Sequence, residues 1–416
     1  MRADQAFWSK LLEDSQGLRE PCHYPGFFLD TPALTEEDLA DVLRSAATAP
    51  DLMLRTYLDG GNRADAQETV VCDPPGPGET LPRWAQRLFG DRRFGIVING
   101  AERVSEHLAR RSAQLLEPFF SVHGMPYGGI DVAFFVGNYG YTPFGIHIDD
   151  RTHVLHSHLG PGTKAMSLWE PEVFHAHVGA REDCFDPDPL LAHGKTFQIR
   201  PGDLFYLPAR YFHVGNTPDF SVALAVSFIE LSDRELADLS LAEELERLQV
   251  ECKERLPWLS ADGQDARGAE HLALEPLLRT TAGLPARAFL RRAALRYRAG
   301  LFSNHGLRGA PLPRPRAPSD LAGRNLRRVS PFRLSLEEAF DPGAPPTVRA
   351  RRCRVPFGSL PGAAALVDRV NRLEGEAVLS TSDAVAILTG GEAAQAELAL
   401  AVLAELVQTG GLECAP

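Results

Sequence analysis

The block from Asp131 to Glu230 constrains the fold of this chain more than any other stretch. It consists of short runs of β-forming residues, such as DVAFFVG, HVLHSHL and SVALAVSFIE, separated by glycine, proline and aspartate. Several short strands at close spacing, with turn residues between them, are typical of a β-sandwich or barrel and not of an α/β sheet. The sequence therefore predicts a mainly β core, and helical patterns on either side of it make the chain α+β overall.

After this block the spacing of apolar residues becomes helical, first over Asp233–Leu256 and then in LPARAFLRRAALRYRAGLF. The stretch Gly309–Asp320 is rich in proline and typical of an extended linker. Amphipathic helices without an obvious core of their own need a partner surface, so we expect the helical segment to form a homodimer. We expect three units: a β-rich domain at 1–232, the helical segment with its linker at 233–330, and a winged-helix-like domain at 331–416.

The composition argues against several classes of protein. The 416 residues carry a formal net charge of −12, which disfavours wholesale nucleic-acid binding. The six cysteines are scattered without a C-x-x-C motif, so neither a zinc finger nor a disulfide framework is indicated. The start of the chain has no apolar signal core, and no apolar run approaches the ~20 residues of a membrane span. We therefore expect a cytoplasmic protein that does not enter a membrane.

One segment departs from the acidic balance of the chain. Residues 279–333 contain 13 arginines and a single acidic residue, Asp320. Such a run of charge is typical of a solvated helix face and linker, but it also suits a surface for an acidic partner or RNA. A nucleic-acid partner therefore stays an alternative, which the overall charge does not favour.

The motif His147-Ile148-Asp149 lies inside the β-rich block. Residues at i and i+2 of a strand point to the same face, so the imidazole and the carboxylate can reach one metal ion. A third ligand is expected from His213, in PGDLFYLPARYFHVGNT, which approximates the cupin hairpin that delivers a histidine into a barrel. Two histidines and one carboxylate leave an open coordination face, as in non-haem Fe(II) oxygenases, although zinc or manganese could also be held.

Lys164 favours one co-substrate for such a metal. It follows His147 by 17 residues and opens the next predicted strand. A lysine carries a compact cation on a long stem, which suits it to bind one carboxylate of a diacid such as 2-oxoglutarate.

The order of these motifs resembles the JmjC-type cupin-like 2-oxoglutarate oxygenases. The resemblance rests on H-x-D, on a lysine at the head of KAMSLWEP, and on the histidine of LPARYFHVGN. The opening FWSKLLEDSQGLREPCHYPGFFLDTPALTEEDLADVL and the order of the three units are similar to the bacterial ribosomal-oxygenase (cupin 4-like) branch. Lys164 lies about two residues later than is usual in the family.

The resemblance implies a cupin fold, also called a double-stranded β-helix or jelly-roll. It implies Fe(II) held by His147, Asp149 and His213, with 2-oxoglutarate on the metal and its distal carboxylate paired with Lys164. With O₂ as the oxidant, the expected reaction is hydroxylation of a C–H bond, which on an N-methyl group would give demethylation.

Further residues near the motifs are weaker candidates. Thr142 and Asn216 are expected to contact the co-substrate. Tyr141 is expected at the site as well. His153 would face the metal if the alternation of side chains that begins at His147 continues through the following strand. Both are therefore catalytic or substrate-binding candidates. The histidines with the opposite parity are expected to have a surface or inter-sheet role: His156 and His158.

Three functions remain open at this point. The architecture favours an oxygenase that acts on a protein or peptide side chain. A hydroxylase of an amino-acid-like small molecule in a biosynthetic pathway is the second. The third is a non-enzymatic, nucleic-acid-binding regulator with the barrel as a sensor, which the complete set of metal ligands disfavours.

Overall fold

The structure is a computed structural model that describes residues 3–29, 35–49, 52–247, 285–312, 321–337 and 345–415. The strands before residue 232 are β1 Cys22–Tyr24, β2 Met53–Leu58, β3 Gly61–Asn62, β4 Phe94–Asn99, β5 Ile130–Gly137, β6 Gly140–Tyr141, β7 Ile146–Ile148, β8 Thr152–Pro161, β9 Lys164–Trp169, β10 Asp183–Cys184, β11 Lys195–Ile199, β12 Leu204–Leu207, β13 Phe212–Thr217 and β14 Ser221–Ile229. The later strands are β15 Asn325–Arg328, β16 Ser335–Leu336, β17 Thr347–Ala350, β18 Cys353–Pro356, β19 Leu379–Ser380 and β20 Leu412–Cys414. The α-helices are α1 Gln5–Asp14, α2 Glu36–Ser45, α3 Ala64–Cys72, α4 Leu81–Phe89, α5 Glu106–Val122, α6 Pro171–Val178, α7 Asp233–Arg247, α8 Ala286–Ser303, α9 Ala363–Asn371, α10 Thr381–Thr389 and α11 Ala396–Gln408.

Two antiparallel sheets form the β-rich domain. The large sheet has the strand order β1-β12-β8-β14-β5-β4-β2-β3, and the small sheet has the order β10-β7-β13-β9-β11, with β6 also on β13. Apolar side chains of both sheets meet in one interior cluster, which includes Ala133, Val154, Met166 and Leu168. The predicted mainly β core within an α+β chain is therefore confirmed.

The chain changes sheets between β7 and β8. β7 belongs to the small sheet and β8 to the large one, although only three residues separate them. The connecting turn contains Arg151 with a positive φ of 61°, and the backbone N–H of Thr152 donates to the carbonyl of Asp149 at 3.0 Å. The alternation of side chains along β7 therefore does not continue into β8.

Helices cover the outer face of the large sheet. Alternation along β8 sends Leu155 into the main apolar core, and that core also contains Trp8 of α1, Leu43 of α2 and Leu116 of α5. The outer face of the small sheet is covered by α6, whose Phe174 stacks on Phe212 with 3.8 Å between the ring centroids. Both sheets are therefore covered on the outside over their central strands, and the space between them is the interior of the domain.

The C-terminal unit has a separate core. Two three-stranded sheets, β19-β15-β20 and β16-β17-β18, pack with α9, α10 and α11. Because β15 lies at Asn325–Arg328, this unit begins before the predicted boundary at residue 331. The winged-helix-like character of this unit stays a prediction.

The helical segment is described at its two ends, by α7 and α8, which pack against each other. The predicted end of the first helix at Pro257 and most of the proline-rich linker lie outside the described residues. Leu290 and Phe302 of α8 are exposed at 47% and 45%. The homodimer that we expect through this segment stays a prediction.

Arg351 joins the three units. Its guanidinium donates to the carboxylate of Glu106 in α5 at 2.9 and 3.0 Å and to the side-chain oxygen of Asn304, just after α8, at 2.5 Å. It also lies over the ring of Phe332 at 3.5 Å from the centroid.

The arginine-rich segment also supplies buried contacts, since Arg296 is buried and donates to Glu244 of α7 at 2.7 Å. Part of the basic charge is therefore used inside the protein.

In the described part of the chain, no single helix is long and apolar enough to cross a membrane. One bent pair, Thr381–Thr389 with Ala393–Gln408, meets the length and composition test together, at an angle of 113°.

Candidate metal centre and its cavity

Three metal-binding side chains meet on the inner face of the small sheet. His147 of β7 and His213 of β13 are directly paired across the two strands, and Asp149 follows β7. The Nε2 atoms of His147 and His213 lie 3.8 and 3.7 Å from the two carboxylate oxygens of Asp149. Ligand bonds of about 2.0–2.2 Å place two ligands of one ion about 3–4.4 Å apart, so these three can hold one ion.

Backbone carbonyls orient both imidazoles. The Nδ1 of His147 lies 3.0 Å from the carbonyl oxygen of Gly145, and the Nδ1 of His213 lies 3.2 Å from that of Tyr211. Donation from Nδ1 fixes the tautomer of each ring. The lone pair of Nε2, on the side of Asp149, is then free to bind a metal. Burial, followed by the nearby His147, lowers the pKa of His213 to about 4, so this imidazole is neutral, as a metal ligand must be.

A cavity of about 350 Å³ opens beside these ligands, within the range of roughly 300–1,000 Å³ that is usual for small-molecule sites. Both sheets contribute to its wall. Besides the three metal-binding residues, it is lined by Arg55, Asn99, Ala133, Phe135, Thr142, Phe144, Val154, His156, Lys164, Met166, Gly215, Ala225 and Ser227.

Lys164 supplies a buried positive charge to this cavity. Its side chain extends from β9, with Nζ 4.8 Å from the centroid of the Phe135 ring, and it forms no ion pair with a described residue. Burial lowers its pKa to about 8. The absence of a side chain at Gly215 makes room for it, because a Cβ there would lie 2.9 Å from Cε of Lys164. An unpaired ammonium in such a place is suited to an anionic ligand.

Two more polar atoms of the cavity wall lack partners within the described structure. The Oγ1 of Thr142 and the Nδ1 of His156 are buried without a hydrogen bond. Burial, and then the charge of Lys164, lowers the pKa of His156 well below its usual value. A neutral imidazole and a hydroxyl can each donate one hydrogen bond, so a carboxylate beside Lys164 would satisfy groups that are costly to leave unpaired.

The predicted inward orientation of His153 is wrong. His153 lies on the outer face of β8, where its Nδ1 is 2.7 Å from the hydroxyl of Tyr206 and its Nε2 is 3.4 Å from Glu230. Its neighbour at the opposite parity, His156, lines the metal cavity between the two sheets, an inter-sheet position as we expected, so that His156, and not His153, faces the metal group. The cause is the change of sheet between β7 and β8, which resets the alternation. His158 has an inter-sheet position, 2.6 Å from the carbonyl of Gly162.

The other residues predicted to contact the co-substrate or substrate also differ in whether they reach the cavity. Thr142 lines the cavity, whereas Asn216 and Tyr141 do not. Alternation along β13 sends His213 and Gly215 inward and Asn216 outward, where it pairs with Tyr141 in the neighbouring strand. The Tyr141 hydroxyl donates to Asp188 at 2.6 Å. Co-substrate or substrate contacts of Asn216 and Tyr141 are therefore not supported by their positions.

Sequence reasoning missed Arg55 and Asn99. They lie on β2 and β4, far before the β-rich block, and reach the cavity only because these strands extend the large sheet beyond β5. No local motif marks them, and only the pairing of distant strands brings them to the metal side. Among the described residues, His147, Asp149 and His213 are the only group of three or more that could hold a metal ion.

A family model described as the JmjC domain matches residues 128–236, which include both sheets' central strands and all three metal-binding residues. No curated protein matches the sequence. A structure of YcfD, a ribosomal oxygenase from Escherichia coli, in complex with cobalt and 2-oxoglutarate is similar at 16% identity and a TM-score of 0.50, over 98% of both chains. A structure of the same protein with cobalt and succinic acid gives 17% identity and a TM-score of 0.48, again over 98% of both chains. At these identities the likeness concerns the fold alone.

Proposed function

We propose that this protein, which carries a JmjC domain in residues 128–236, hydroxylates a C–H bond of a protein or peptide side chain. The JmjC domain is an Fe(II)- and 2-oxoglutarate-dependent oxygenase domain, and the chain has the His-Asp-His group that this chemistry requires. The observation that carries the proposal is the pairing of this group with an unpaired, buried Lys164 in the same cavity.

The residues present fit both the metal and the co-substrate. Two imidazoles and one carboxylate, with no fourth protein ligand in the described structure, suit a mid-series divalent ion with open positions. Lys164, Thr142 and His156 offer a buried cation and two unpaired polar atoms for the distal carboxylate of 2-oxoglutarate. When bound, Fe(II), 2-oxoglutarate and O₂ supply the oxidation, which puts one oxygen atom into the substrate and leaves succinate and CO₂.

The protein's own residues bind and orient. His147, Asp149 and His213 would hold the metal from one side of the cavity, so that the remaining positions face inward. Lys164 would hold the far end of the co-substrate and fix its direction. The aromatic rings of Phe135 and Phe144 line the same cavity and supply apolar surface beside the metal group.

A protein or peptide as the substrate is the finer part of the proposal. It is supported by the domain order expected from the sequence, and YcfD, which has a similar fold at 16% identity, is described as a ribosomal oxygenase. The small-molecule alternative differs only in what enters the cavity, since the metal and co-substrate chemistry would be the same.

Succinate formation tests the oxygenase chemistry. The protein is supplied with Fe(II), 2-oxoglutarate and O₂ together with a proteolytic digest of bacterial protein, and succinate and +16 mass shifts are measured. We expect metal-dependent succinate formation that His147→Ala abolishes, and +16 shifts on specific peptides. His193→Ala is the matched control, because His193 is exposed and does not line the cavity. Succinate formation that persists in His147→Ala would refute the assignment of the metal centre.

A further inference from the structure

Arg55 is a second, half-buried cation of the metal cavity, distinct from Lys164. It lies on β2 and is directly paired with Val97 of β4, which is in turn paired with Phe135 of β5. Neighbouring strands are about 4.8 Å apart, so the backbone of Arg55 is roughly 10 Å from that of Phe135, over whose ring Lys164 lies. The two cations therefore occupy different parts of the cavity wall.

The guanidinium of Arg55 is held in place by the neutral amide of Asn99. Its Nη2 donates to the side-chain oxygen of Asn99 at 3.0 Å, and the amide nitrogen of Asn99 donates to Asp131 at 3.2 Å. The chain of hydrogen bonds thus fixes the amide orientation of Asn99 so that its oxygen faces Arg55. Arg55 forms no ion pair with a described residue, and its Nε is buried without a hydrogen-bond partner.

The charged groups that line the loaded cavity leave Arg55 without a counter-charge in the cavity wall, of which Asp131 is not a part. The charged side chains in the wall are Arg55, Lys164 and Asp149. A divalent metal and the two carboxylates of 2-oxoglutarate cancel one another in formal charge, and Asp149 offsets one of the two cationic side chains. One positive charge remains, and because Lys164 is taken by the co-substrate, it resides on Arg55.

We propose that Arg55, oriented by Asn99, is the specificity-determining residue of this site and binds a carboxylate of the prime substrate. A guanidinium is a rigid planar donor that matches a carboxylate, and its unpaired Nε is the atom that such a ligand would satisfy. A substrate whose reacting part is cationic would instead bring a like charge beside Arg55 and would be rejected. This inference rests on the proposed oxygenase function and names its substrate class.

The carboxylate has two sources, which the experiment distinguishes. One is the acidic side chain of a peptide, which we test with terminally blocked peptides that carry Asp or Glu at the centre. The other is the α-carboxylate of a free amino acid. Peptides with central Lys or Arg, in the same flanking sequence, are the charge-reversed comparison.

Binding is measured without turnover, by calorimetry in the absence of O₂, with Fe(II) and 2-oxoglutarate present. We expect either the acidic peptides or the free amino acids to bind at least about tenfold more tightly than the cationic peptides. This factor corresponds to the free energy of one hydrogen bond to a charged group. Arg55→Glu should reverse this preference, and Arg55→Lys should retain part of it. Arg83→Glu, an exposed position on α4, makes the same charge change and should leave the preference unaltered.

Other outcomes overturn the proposal. Equal affinity for acidic and cationic ligands, or a preference that Arg55→Glu leaves intact, shows that Arg55 does not select the substrate. A loss of 2-oxoglutarate affinity in Arg55→Glu, without a change in ligand preference, assigns Arg55 to the co-substrate and also overturns it. Failure of the oxygenase function itself would be seen separately, as the absence of metal-dependent succinate formation in the wild-type protein.

Discussion

The substitution Gly215→Ala tests the co-substrate assignment by moving Lys164 without removing it. A Cβ at Gly215 would lie 2.9 Å from Cε of Lys164, 3.5 Å from its Nζ and 3.4 Å from Cγ2 of Thr142. Carbon atoms in favourable contact are about 3.5–4.0 Å apart, so Cε must retreat by up to about 1 Å. The atoms in the way belong to the tip of a flexible side chain, and the φ of Gly215 lies outside the left-handed region, so the fold can accept the added methyl group.

The expected effect is on the affinity for 2-oxoglutarate. A hydrogen bond to a charged group contributes about 1.5–3 kcal/mol, and much of this is lost when the donor moves by about 1 Å. Because about 1.4 kcal/mol corresponds to a factor of ten, we expect the KM for 2-oxoglutarate to rise by roughly ten- to a hundredfold. The melting temperature should stay near that of the wild type. KM is measured by succinate formation at saturating Fe(II).

A double-mutant cycle determines whether the effect passes through Lys164. In a Lys164→Ala background, Gly215→Ala should add little, because the displaced ammonium is no longer there. Gly61→Ala is the matched control, since the nearest atom to its added Cβ is the carbonyl oxygen of Leu58, at 3.8 Å. An unchanged KM in folded Gly215→Ala, or an equal effect with and without Lys164, would refute the reasoning.

Two further perturbations follow from buried charges. Burial lowers the pKa of Lys164 to about 8, so its charged form is lost as the pH rises through 8. The KM for 2-oxoglutarate should therefore increase roughly tenfold by pH 9, and Lys164→Arg should remove this rise. A KM that is flat between pH 7 and 9 contradicts the prediction. Arg351→Ala should lower the free energy of unfolding by about 1.5–3 kcal/mol, since it removes the hydrogen bonds of the buried guanidinium to Glu106 and Asn304, while Glu106 keeps its contact with Arg110. Urea unfolding measures this loss against the exposed control Arg287→Ala, and a difference under about 0.5 kcal/mol would show that the contact contributes little.

Local periodicity was sufficient to predict that two of the candidate metal ligands lie together. His147 and Asp149 are two residues apart, and alternation holds over so short a distance. His213 could be assigned because its hairpin has a recognisable pattern of glycine and proline around it. The β-rich domain was also predictable, since turn residues separate its short strands throughout.

Alternation failed where the chain changes sheets. The turn between β7 and β8 contains Arg151 in the left-handed region and resets which side chains face inward. His153 was consequently assigned to the inner face, where His156 lies instead. Nothing in the local sequence shows that these two runs belong to different sheets, because strand pairing is a property of the whole domain.

Arg55 and Asn99 were beyond local reasoning for a different reason. Their strands reach the cavity through pairing with β5, which follows them by more than 30 residues in the chain. Isolated polar residues in short β-forming runs are common, and only the finished sheet shows that these two line the cavity. Long-range pairing of this kind is not encoded in any motif.

The two sheets divide the site between them: one carries the proposed metal ligands and Lys164, and the other carries the residues proposed to select the substrate. The two histidine ligands and Lys164 stand on strands of the small sheet, and Asp149 follows one of them, whereas Arg55 and Asn99 stand on strands of the large sheet that lie beyond β5. Those outer strands can therefore diverge while the oxidising machinery is retained. A redesign of substrate preference should begin with the side chains of β2 and β4 and leave the small sheet untouched.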